Sequence, residues 1–212
     1  MKVWLAYVVL LYSVWAGVEL GLDGLMTSWW GSAAAGVVHS FLVKPMIWAV
    51  PAVALIVRYR SAVRVRLREM LCLRRADWLR ALAVVVVLTV YVLALSWPRW
   101  SAEDHRLDIS LVLVARVLVS VGVCEELAFR GWLMNAMPGW RTWWGYALNG
   151  ALFALIHVPT WIERPNQLAG WMAIQTPLFS MVLGAVMAWL FARSRSLLAS
   201  LIPHAWYDLI MA

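Results

Sequence analysis

Residues 117–137 are long and apolar enough to cross a bilayer core of about 30 Å, yet they carry Glu125, Glu126 and Arg130. An ionisable residue at membrane depth is costly and normally faces a bundle interior or a wet cavity. Two adjacent carboxylates and an arginine within six positions therefore mark a site. Glu126 and Arg130 are i and i+4, on one face of a helix, and can neutralise each other. Glu125 points about 100° away around the helix axis. It has no local partner and needs one on another helix.

The rest of the chain reads as membrane too. Its 212 residues are 64% hydrophobic and 14% charged, whereas a soluble domain has about half apolar and a quarter charged residues. The expected fold is an all-α, polytopic helical bundle. A single integral membrane domain over residues 1–212 is expected, with the helices that carry the ionisable site within about 112–212. Seven spans are expected: 3–22, 33–57, 79–97, 117–137, 143–161, 171–192 and 197–212. The first apolar run exceeds the usual length of a signal-peptide core, so it reads as a retained helix. Glu19 and Asp23 read as a loop after it, and residues 107–116 as an interfacial segment that keeps Arg116 out of lipid. Pro159 reads as the stop of the fifth span. Trp29, Trp30, Trp97, Trp100, Trp140, Trp143, Trp144 and Trp161 sit near segment ends, as interfacial anchors do.

Charge sets the orientation. The net charge is +7, and eight of the 18 basic residues fall between Arg58 and Arg80. Between apolar runs, that cluster reads as a cytoplasmic loop obeying the positive-inside rule and not as a nucleic-acid surface. Residues 63–73 within it have an amphipathic pattern suited to the membrane surface. Lys2, Arg141, Arg193 and Arg195 fall on the same side, which puts the N-terminus inside and the C-terminus outside. Lys44 reads as a snorkelling side chain or a carbonyl partner, and His39 as a satisfied polar group. Cys72 and Cys124 imply neither a disulfide nor a cysteine metal site. The expected location is the cytoplasmic membrane of a bacterium, with the lipid bilayer as surroundings and no nucleic acid as partner.

Three other intramembrane groups can complement Glu125. His157 follows Phe153 in the fifth apolar run, and His204 with Asp208 forms an i, i+4 pair in the last. Depth brings them together. Glu125 lies 16 residues before Arg141 and His157 lies 16 after it, so both sit roughly 20–24 Å from the cytoplasmic edge. His204 and Asp208 are 9 and 13 residues past Arg195, about 13 and 20 Å deep. Tilts of around 20° absorb the mismatch.

The order Glu-Glu-x-x-x-Arg, Phe-x-x-x-His, His-x-x-x-Asp on three late helices resembles the CAAX-protease and bacteriocin-processing family of intramembrane proteases. The resemblance covers roughly residues 112–212. It implies proteolysis of a membrane-bound protein or peptide, with Glu125, His157 and His204 at catalytic positions, and it leaves metal dependence open. Many relatives have Asn where this chain has Asp208. An Asn amide donates toward an oxyanion and an ionised Asp cannot.

Two chemistries suit these side chains. Glu125 can activate water while His157 holds it and His204 polarises the scissile carbonyl. Alternatively Glu125, His157, His204 and Asp208 can ligate zinc or another divalent ion. The metal-free route is favoured, because the chain has no His-Glu-x-x-His helix. Glu126 is a candidate catalyst or a structural partner of Arg130. Phe153 is expected to pack against His157, and Asn149 to line the same face or bridge two helices. A non-catalytic immunity or binding protein of the same fold, and a proton- or ion-coupled transporter, are the alternative functions.

Overall fold

The computed structural model describes residues 2–100 and 110–211, apart from the side chains of 95–100. Among them the secondary structure is helical with no strand. Helix α1 spans 2–30 and α2 spans 32–58; Gly31, at φ 78° and ψ 159°, separates them. That left-handed backbone costs glycine little and other residues much. The two helices form an antiparallel hairpin. Trp15 packs on His39 and Trp48, and the Tyr7 hydroxyl donates to the Trp48 carbonyl. Glu19 and Asp23 thus lie inside α1 and not in a loop. Glu19 stays there because Thr160 donates to it at 2.9 Å and His39 lies 3.4 Å away.

The basic segment contains one helical turn, Leu67–Met70, before α3, Arg75–Trp100. Its apolar residues Val65 and Met70 are buried beneath the bundle end, so part of the amphipathic pattern serves protein packing. Residues 98–108, of mixed charge after the third expected span, read from the sequence as an outer loop; 98–100 continue α3, and 101–108 lie outside the described residues, as do the first residues of the expected 107–116 segment. Helix α4 runs 111–136 without interruption. Residues 111–116 are therefore its first turns and not a separate interfacial element, and Arg116 donates from Nε to Ser40 Oγ at 3.2 Å.

Helix α5, Trp143–Leu155, ends before His157, and the short α6, Val158–Glu163, follows. The break comes earlier than Pro159 itself. A proline supplies no amide to the carbonyl four residues back and its ring crowds that carbonyl, so the ladder fails at Leu155. Helices α7, Met172–Ser194, and α8, Leu197–Met211, complete the chain. A Cβ built on Gly150 would lie 2.2 Å from the Met181 carbonyl, and one on Gly184 would lie 2.8 Å from Phe153 Cβ. The two glycines let the α5 and α7 backbones touch.

Residues 2–58, Arg75–Ala94 and Met172–Ser194 are long and apolar enough to cross a membrane; Leu197–Met211 is apolar but shorter. Trp29, Trp30, Trp143 and Trp144 are exposed, whereas Trp161 is buried. Trp97 and Trp100 lie outside the described side chains. The basic segments gather at one end of the bundle. Asn135 accepts from the Arg64 and Val65 amides and donates to the Val65 carbonyl. Arg195 reaches Glu69, and Arg141 reaches the Ala192 carbonyl. Trp4 donates to the Leu133 carbonyl, which brings the N-terminus to the same end.

Candidate active site

Helix α4 supplies Glu125, Glu126 and Arg130. The α5–α6 break supplies His157, and α8 supplies His204 and Asp208. Wide i→i+5 turns cover Val117–Glu125 and Leu127–Met134, a distortion common where a helix carries a site. Glu125, Phe153, His157, His204 and Asp208 all line one cavity of about 500 Å³. The layer expected from sequence depth is thus a physical neighbourhood.

His204 is its hub. Its Nδ1 donates to Glu126 Oε1 at 2.8 Å. Its Nε2 lies 3.8 Å from Glu125 Oε2 and 3.7 Å from Asp208 Oδ2. Glu126 Oε1 also accepts from Arg130 Nη1 at 2.9 Å, and Arg130 Nη2 donates to the Gly184 carbonyl at 3.0 Å. Glu126 and Arg130 are both completely buried and form no part of the cavity wall. They brace His204 from behind.

Phe153 does more than pack against His157. Its ring centre lies 5.0 Å from that of His157, 5.3 Å from that of His204 and 4.7 Å from the Arg130 guanidinium carbon. A cation over the ring face is attracted by its quadrupole. His157 Nδ1 donates to the Phe153 carbonyl at 2.7 Å, which leaves Nε2 for other work, and its ring stacks on Trp161. Asn149 bridges helices instead of lining the cavity: its amide donates to the Phe129 carbonyl at 3.0 Å.

The partner of Glu125 is Lys44, from α2. Lys44 Nζ donates to Glu125 Oε1 at 2.5 Å, and both side chains are buried. The ammonium also faces the rings of Trp48 and Trp15, at 4.8 and 5.5 Å. Lys44 neither snorkels nor serves a carbonyl. Its depth was the available signal: it lies 14 residues before Arg58, about 21 Å from the basic end, level with Glu125. Glu125 Oε2 is buried and has no hydrogen-bond partner among the described residues.

The donor set fits a metal poorly. Among the described residues no three His, Cys, Asp or Glu side chains form a ligand cluster. Lys44 would place an ammonium beside any cation bound by Glu125.

The family model for type II CAAX prenyl endopeptidases, Rce1-like, matches residues 107–210. The second half of the chain is similar to this family. The match and the apolar helices support an integral membrane protein of the CAAX-protease type, a class that acts on membrane-associated proteins. The matched region holds every residue of the cavity layer from Glu125 to Asp208, while Lys44 and Trp15 lie outside it. No curated protein and no solved structure matches the chain.

Proposed function

We propose that this protein is an intramembrane endopeptidase that hydrolyses a peptide bond of a membrane-associated protein through water activated by Glu125, without a metal. The supporting observation is the asymmetry of Glu125. Oε1 is tied to Lys44, while Oε2 is buried, unpartnered and 3.8 Å from His204 Nε2. A carboxylate held by one oxygen keeps the other for a proton.

In this reading the nucleophilic water donates one hydrogen to Glu125 Oε2 and the other to His157 Nε2. Glu125 removes its proton as the oxygen attacks the carbonyl carbon. A doubly protonated His204 donates from Nε2 to the developing oxyanion, while Nδ1 stays on Glu126. The proton on Glu125 then passes to the leaving nitrogen as the C–N bond breaks. Lys44, Glu126, Arg130 and Phe153 position these groups. By the positive-inside rule the basic end faces the cytoplasm.

The test is purified protein in liposomes with a mixed peptide library, read by mass spectrometry. New peptide termini are expected. Proton or ion flux without cleavage supports a transporter, and peptide binding without cleavage supports an immunity protein.

A further inference from the structure

A second chamber of about 440 Å³ adjoins the first cavity, and the two share Glu125 and His157. These two residues form the partition between them. The first cavity is aromatic on its far side, where Tyr91 stacks on Phe179 and Phe179 packs on Tyr207. The second is polar. Its rim carries the exposed Thr27, Ser32 and Arg164, and its floor carries the buried Lys44 and Glu125. It opens at the end of the bundle opposite the basic segments, because its rim belongs to the α1–α2 turn and the residue after α6.

The charges on its wall are balanced. Lys44 sits on Glu125, His39 beside Glu19, and Arg116 on Ser40. Glu19, Asp23 and Glu125 offset Lys44, Arg116 and Arg164. A wall of mixed sign with many hydroxyls suits a neutral polar molecule better than an anion. The chamber has room for on the order of ten waters at liquid density. Hydrolysis consumes water, and a peptide bound in the first cavity would cover Glu125 from that side.

We propose that this chamber binds and delivers the second substrate, water, so that peptide and water reach Glu125 from opposite sides. The inference rests on the hydrolase reading above, but the hydration of the chamber can be measured without turnover. Two experiments in the full-length protein test it. The first uses the substitution Ser40→Cys, at a position buried on the chamber wall, with Cys72 and Cys124 replaced by Ser. A charged, membrane-impermeant thiol reagent needs a thiolate and hence water. Ser40→Cys should react at least about tenfold faster than Leu118→Cys, which faces an apolar groove. Equal rates would overturn the proposal, whether or not the protein cleaves any peptide.

The second fills the chamber. A Cβ at Gly36 meets only the Arg116 guanidinium, at 4.0 Å, so Gly36→Leu projects into open space. Its kcat should fall about tenfold or more with KM within about twofold, because water and not peptide is obstructed. Ala34→Leu, exposed on the same helix, controls for the added bulk and should retain wild-type kcat. A raised KM at constant kcat in Gly36→Leu would mean that the chamber holds peptide, and would overturn the proposal, as would an unchanged kcat. Should the protein with its native site cleave nothing while the Ser40→Cys variant labels rapidly, the hydrolase reading fails and the hydrated chamber stands.

Discussion

Lys44 and Glu125 form a buried ion pair across α2 and α4, with Nζ 2.5 Å from Oε1. The pair ties the first half of the chain to the half that carries the family resemblance. Removing one partner of such a pair strands the other charge, at a cost of about 3–5 kcal/mol. Lys44→Met should therefore lower the yield of folded protein and its thermal midpoint in detergent. Lys44→Met with Glu125→Gln should recover both while remaining inactive. Equal damage in the single and double variants would contradict the pairing.

Arg130 and Glu126 obey the same logic with a further consequence. Arg130→Ala should reduce folded yield more than Glu125→Gln does, since it strands Glu126 at about 3–5 kcal/mol and leaves no replacement donor, whereas glutamine keeps an oxygen for Lys44. Arg130→Met with Glu126→Gln should restore yield. Activity should stay low, because the carboxylate that accepts from His204 Nδ1 is gone. Size-exclusion yield and peptide turnover, measured together, separate the two effects.

Asp208 distinguishes a metal-free site from a metal site. It lies 3.7 Å from His204 Nε2 on the cavity wall. Asp208→Asn gives the wall an amide donor, and one donor to an oxyanion is worth about 2.7–4 kcal/mol. Turnover should hold or rise, and a strong chelator should leave it unchanged in both proteins. Stoichiometric zinc in the purified protein, with chelator-sensitive activity lost in Asp208→Asn, would make Asp208 a ligand.

The orientation is testable by single-cysteine labelling in a background without Cys72 and Cys124. The substitution Arg66→Cys falls in the basic segment that Asn135 and Arg195 hold to one end of the bundle. The new thiol should be labelled from the cytoplasm. Labelling by an impermeant reagent from outside would reverse the bundle.

The sequence made the cavity layer legible because helical rise converts residue number into depth. Glu125, His157, His204 and Asp208 fell at similar depths, and they share one cavity. The same arithmetic reaches Lys44, but a lone lysine beside prolines also has an ordinary reading as a snorkelling group. Charges misled where they are satisfied internally. Glu19 and Asp23 suggested a loop, and Arg116 an interface; Thr160, His39 and Ser40 keep Glu19 and Arg116 inside long helices. Glu126 and Arg130 were visible as a pair. Their contact with His204 required the tertiary fold, because sequence spacing says nothing about what an adjacent helix presents.

The central claim is that Glu125 activates water. Glu125→Gln is nearly isosteric and keeps an oxygen acceptor for Lys44 but removes its counter-charge, so the rates are compared between folded proteins. The measurement is single-turnover hydrolysis of a peptide substrate by wild type and Glu125→Gln at equal folded concentration. Loss of a general base should lower the rate by about 10²–10⁴ with peptide affinity retained. Hydrolysis by Glu125→Gln at close to the wild-type rate would contradict the account.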